Sequence, residues 1–318
     1  MGGRGGGDPL SRLRRSPRRS KIHLPSTTGR GRARLALAVA VIAVSWAAIL
    51  IRAAAAPPLA IAFWRLTLAT VLLSPLAWWL SRGRPVLSRQ GPTMVAGILL
   101  GLHFALWISS LFRTTVGSSV LLVSTQPIFA ALVAGPLLGE RPSRRTLWAI
   151  TLTLAGSGVL TAGDAQMGTE ALWGDAMALA AAAAAAIYLV LGRRERASGP
   201  LPVYLWKVNM IAAATLLAAC FLGGTPLTGF PGTTWAIFAA LAAGPHLAGH
   251  GLLNFAVRFF PAPTVNLALA GEPLLSTSYA AVLLGEVPGG PFYAGAALIL
   301  TGLVVEFSAG AARPAQAS

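Results

Sequence analysis

The chain has 318 residues, 55% of them apolar and only 11% charged, against ~25% charged in a soluble globular domain. With a mean hydropathy of +0.68 it is neither an ordinary soluble domain nor a disordered chain. Its formal charge of +16 comes from 25 Lys+Arg against 9 Asp+Glu, and the lone Cys220 excludes an intrachain disulfide and a cysteine-based metal site.

Residues 1–34 carry ten basic residues and one acid among many Gly and Ser, which reads as a disordered basic tail. An apolar run from Leu35 to Ile51 follows. Basic-then-apolar order also suits a signal peptide, but the apolar segments continue, so the run is read as a first membrane span. A helix needs ~20 apolar residues to cross the hydrocarbon core. Ten candidates meet that need: 35–52, 59–80, 92–112, 116–138, 146–162, 172–192, 201–222, 233–257, 263–284 and 291–309. The sixth has the weakest signal, because Ala180–Ala186 is helix-forming but barely hydrophobic. Residues 310–318 form a short tail. The 284 residues beyond the basic tail allow about 28 per span with its connection, which excludes a soluble catalytic head.

Orientation follows from the basic residues. With the N-terminus inside, 21 of the 25 fall in inner loops and tails, and only Arg52 and Arg113 lie outside, where Asp164, Glu170, Asp175 and Glu286 collect. That asymmetry places both termini in the cytoplasm. The charge is thus a topology signal, and no nucleic-acid partner is expected. The basic tail can touch anionic lipid head groups.

The chain repeats itself. Gly139-Glu140-Arg141-Pro142 returns as Gly285-Glu286-Val287-Pro288, a shift of 146 residues, and the same shift pairs Pro127 with Pro273 and Gly156 with Gly302. A shift of 142 pairs Trp64-Arg65 with Trp206-Lys207. The units are 35–162 and 172–309, five spans each. Five is odd, so the second unit enters the membrane upside down, as in the inverted repeats of secondary transporters.

These residues resemble the drug/metabolite transporter superfamily and its ten-helix EamA-type members. The likeness rests on Trp46 in the first span, Trp64-Arg65 in the second, Thr125-Gln126-Pro127 with Leu138-Gly139-Glu140, and Gly271-Glu272-Pro273-Leu274 with Leu284-Gly285-Glu286. The resemblance implies an all-α integral membrane bundle with a central cavity lined mainly by spans 3, 4, 8 and 9. It also implies efflux or exchange of small solutes such as metabolites, amino acids or drugs.

Glu272 stands mid-span, and an intramembrane carboxylate is costly enough to suggest function. It suits proton coupling or substrate contact; alternatively it satisfies backbone donors at the helix break near Pro273. Its counterpart is the neutral Gln126. His246, His250, Asn254 and Arg258 are spaced to form one polar stripe on the eighth span, with His250 as a solute or proton contact. The His pair lacks a third ligand nearby, so no metal is expected. His103 and Trp107 share a face of the third span; Asn266 and Tyr279 extend the lining. Arg65 and Lys207 are read as helix-end cations that snorkel or pair with loops; the alternative is contact with a substrate anion. Glu140, Pro142, Glu286 and Pro288 mark opposite-side turns, where each acid can cap the following helix or latch a gate.

No Walker loop, nucleotide fingerprint or Gly-x-Ser-x-Gly elbow is present. The reading is a plasma-membrane secondary transporter with no catalytic residue and no cofactor, either monomer or homodimer. Its rivals are a lipid or lipid-intermediate flippase, a membrane enzyme acting on a lipid-linked substrate, and a non-transporting assembly subunit.

Overall fold

A computed structural model of the chain describes Gly2 and residues 27–81, 91–138, 143–197, 200–256 and 268–311. The described part is helical. In chain order the helices are α1 (Thr27–Ser45), α2 (Ala47–Ala53), α3 (Pro58–Ser81), α4 (Gly91–Ser110), α5 (Val116–Val123), α6 (Gln126–Leu138) and α7 (Arg144–Asp164). Then come α8 (Thr169–Ala197), α9 (Leu201–Leu222), α10 (Gly232–Leu241), a π-helical segment (Ala242–Gly249), α11 (His250–Ala256), α12 (Glu272–Leu283) and α13 (Gly290–Ala311). Among the described residues seven helical stretches are long and apolar enough to cross a membrane, and Val116–Ala130 and Gly290–Val305 are shorter apolar stretches.

Several expected spans are broken, and the sequence explains where. Pro127 and Pro273 each stand second in their helix, after Gln126 and Glu272. Proline offers no N–H to the preceding turn, so a helix starts there more easily than it passes through. The freed groups find hydroxyl partners: Ser124 Oγ donates to Val120 O at 2.7 Å and Thr125 Oγ1 to Leu122 O at 2.6 Å. The first span breaks at Trp46, and Ser276 Oγ of α12 donates to Ser45 O at 3.0 Å. Buried irregular backbone persists in a membrane when protein groups satisfy it in this way.

The eighth span was expected to be one continuous helix with His246, His250, Asn254 and Arg258 in line. Its centre instead widens into the π segment around Pro245. A proline inside an α-helix clashes with the carbonyl one turn back, and a wider turn relieves that clash. The α-helical spacing therefore fails between His246 and His250 and resumes in α11.

Packing follows a pseudo-two-fold plan. α7 crosses α13, the last helix of one half on the last helix of the other, and α3 crosses α9. A Cβ on Gly156 would sit 2.7 Å from Gly295 O, and one on Gly302 would sit 2.8 Å from Ala149 O. The 146-residue shift that takes Gly156 to Gly302 also takes Ala149 to Gly295, so the two contacts are images of each other. The pairing order makes α7 and α13 antiparallel. α4 and α9 approach closely at Gly97 and Gly101, where added Cβ atoms would meet Ile211 and Ala212. Those small residues serve a crossing within the chain.

Candidate functional site

At the centre stands Arg65. It is the eighth residue of α3, about 10 Å along the helix at 1.5 Å per residue. The expectation of a snorkelling helix-end cation is corrected here: Arg65 is 2% exposed. Residues of α4 cover it. Its Cζ lies 4.6 Å from the Phe104 ring centroid and 5.7 Å from that of Trp107. Its Nε and Nη1 are buried without a hydrogen-bond partner among the described residues. Lys207, its counterpart, is half-buried near the start of α9.

Around Arg65 the helices bring together several expected residues. His103 stacks over Trp107 with centroids 6.1 Å apart and planes 14° apart. His103 Nδ1 lies 3.0 Å from Ala181 O of α8. A carbonyl only accepts, so Nδ1 holds the hydrogen and Nε2 of the neutral ring is left as an acceptor. Phe104 touches His246 at 5.7 Å between centroids, and His246 meets His250 edge-on at 5.9 Å. His103, His246, His250 and Glu272 all lie within electrostatic range of Arg65.

His250 has exposed surface, and His103 and Glu272 are half-buried. Trp107, by contrast, is 5% exposed and is wall rather than surface. Glu272 opens α12, where the positive end of the helix dipole favours its charge. Two turns on, half-buried Tyr279 stacks on Trp46, with centroids 4.9 Å apart. Gln126 is half-buried at the start of α6. Asn254 lies on α11, its side chain outside what is described; Asn266, Arg258, Glu140 and Pro142 lie outside the described residues.

One end of the bundle carries a second constellation. Glu286 Oε1 pairs with Arg52 Nη2 at 2.7 Å, and Oε2 accepts the Val116 N–H at 2.8 Å. Arg52 Nη1 also donates to Leu111 O at 2.5 Å. The expectation that Glu286 caps the helix following it is therefore corrected. It caps α5, because its turn folds across to the opposite half, where Val116 N is an open helix-start donor. Pro288 lies in the same turn, two residues before α13. Arg113 pairs with Glu170, and Thr114 Oγ1 donates to Asp164 Oδ2 at 3.4 Å, at the same end.

Phe104 and the depth of Arg65 are what sequence reasoning missed. The depth had a signal, eight residues into an apolar run; the Phe104 contact is purely tertiary.

The profile of the EamA-like transporter family matches residues 32–162 and again 172–307. The chain belongs to the EamA-like transporter family. It is accordingly a multi-pass membrane protein that transports small solutes, and the site lies on helices of both family repeats. No curated protein matches the chain. A solved structure titled only as the crystal structure of a protein aligns with a TM-score of 0.62 at 24% identity, covering 89% of this EamA-like transporter and 100% of that chain. That likeness shows a shared fold.

Proposed function

We propose that this EamA-like transporter is a secondary exporter of a small organic solute in the plasma membrane, working by alternating access. It crosses the membrane ten times as two inverted five-helix repeats, with both termini cytoplasmic. The observation that carries this reading is the placement of the cavity. His103, Trp107, His250 and Glu272 come from helices of both repeats and converge on one buried arginine. Binding sites of inverted-repeat transporters lie at such a junction. The antiparallel α7–α13 crossing supports the inversion, since a two-fold axis in the membrane plane reverses one unit.

In this mechanism each repeat takes two slightly different conformations in turn, closing one end while the other opens. Arg52, Glu286 and Val116 hold the outer end, because they join α2 and α5 of the first repeat to the α12–α13 turn of the second. Glu272 is the coupling carboxylate. In proteoliposomes loaded with a solute panel, Glu272→Gln should fold normally, keep solute exchange and lose flux driven by a pH gradient. Flux unchanged across a range of pH would return Glu272 to a structural role. Turnover or scrambling of a lipid with no solute flux would replace transport of solutes by a lipid-directed activity.

A further inference from the structure

Among the described residues the charged groups of the cavity are one cation, Arg65, and one carboxylate, Glu272, facing a cluster of three histidines. Arg65 and Glu272 feel each other's charge but are not among the ion pairs of the described residues, which are Arg52–Glu286 and Arg113–Glu170. A buried charge is costly unless it is paired and hydrogen-bonded. Phe104 and Trp107 lie against the guanidinium, and such contacts contribute ~0.5–2 kcal/mol. Ring contacts make no hydrogen bond to the N–H donors, which a guanidinium carries in its plane, and Nε and Nη1 are buried there without a partner among the described residues. The site is built but incomplete.

We propose that Arg65 is the anion anchor of the cavity and that the transported solute carries a single carboxylate-like group on a flat, apolar body. A carboxylate meets the guanidinium edge with two parallel hydrogen bonds. The flat body fits the aromatic wall beside it, the stacked His103–Trp107 pair. A second negative charge is disfavoured, because Glu272 faces the same space and no further cation does among the described residues. The proposal rests on the transport reading above for its direction of travel, but the anchor itself is a binding claim.

Three isosteric probes test it: benzoate, benzamide and benzamidinium, with charges of −1, 0 and +1. Binding to the purified full-length protein is read by ligand-observed NMR. Benzoate should bind at least tenfold more tightly than either of the others. R65Q should lower benzoate to the level of benzamide, while R65K keeps part of the preference because it keeps the charge. Equal binding of the three probes, or benzoate binding that survives R65Q in folded protein, overturns the anchor. If R65Q does not fold, the charge series on the unaltered protein and R65K decide alone. Charge-selective binding with no solute flux in liposomes would sink the transport reading and leave the anchor. Flux of a neutral or cationic solute that benzoate does not inhibit would do the reverse.

Discussion

At Pro127 the first half of the chain sets Gln126 before its helix break; at Pro273 the second half sets Glu272. The breaks coincide under the 146-residue shift and the chemistry does not. The same division runs through the molecule. Gly156 and Gly302 make two-fold-related contacts in the α7–α13 crossing. Trp64 and Trp206 each anchor an indole N–H, to Leu227 O at 2.9 Å and to Ser74 Oγ at 2.8 Å. Yet Arg65 is buried against two rings while Lys207 is not, and α8 runs unbroken where its partner, the first span, breaks at Trp46. Duplication has kept the helix packing, and it has not repeated the polar and aromatic groups around Arg65. A carrier needs two conformations but one site between them.

The largest expected effect breaks the symmetric part. Gly156→Ala and Gly302→Ala each drive a methyl group against backbone oxygen, at 2.7 Å and 2.8 Å. Each should cost about 1–3 kcal/mol as overpacking, seen as a lowered unfolding midpoint in detergent. Gly158→Ala, where a Cβ meets open space, should be neutral or slightly stabilising. Similar losses at the two glycines are the point of the test. A tolerated Gly302→Ala beside a damaging Gly156→Ala would mean that the two-fold packing is not energetically shared.

How much of this was legible in the sequence depended on the kind of cause. The helix break near Pro273 can be read from proline's missing N–H; the same cause breaks the chain at Pro127, inside a span read as one continuous run. The repeat could be read because Gly-Glu-x-Pro and the paired prolines keep their register over 146 residues. His103, Trp107, His250 and Glu272, which gather around Arg65, stood out as polar or aromatic groups within apolar spans. The ring cage of Arg65 was not legible, since Phe104 looks like any core aromatic until α3 and α4 are packed. Nor was the widened turn at Pro245, because hydropathy does not distinguish an α-helix from a π-helix. Glu286 had a visible turn but an invisible partner, 170 residues away at Val116.

The asymmetric part is sharpened next. Arg65→Gln should lower solute flux at least tenfold, or about 1.4 kcal/mol of transition-state stabilisation. Lys207→Gln, half-buried at the other pseudo-equivalent position, should stay within about twofold, or roughly 0.4 kcal/mol on the same scale. Comparable losses in proteoliposome flux from both variants would show that the cations act as a symmetric pair and that the single-anchor cavity is wrong.

The smallest effects separate two ion pairs at one end of the bundle. Arg113 and Glu170 are 42% and 70% exposed, so water and salt screen them. A double-mutant cycle on that pair should return no more than ~0.5 kcal/mol. Arg52 and Glu286 are 28% and 19% exposed, and Glu286 also accepts a backbone N–H at a helix start. Their coupling should reach about 1 kcal/mol, toward the upper limit for partly exposed pairs. The backbone bond gives a finer test within the same residue. Glu286→Gln removes the charge but keeps an acceptor for Val116, whereas Glu286→Ala leaves that donor open as well. If the latch acts through both bonds, Glu286→Ala should destabilise more than Glu286→Gln, and only the loss on Glu286→Gln should vanish at high salt. Equal losses from the two variants would mean that the ion pair alone holds α2 to the α12–α13 turn, and that the contact to α5 is incidental.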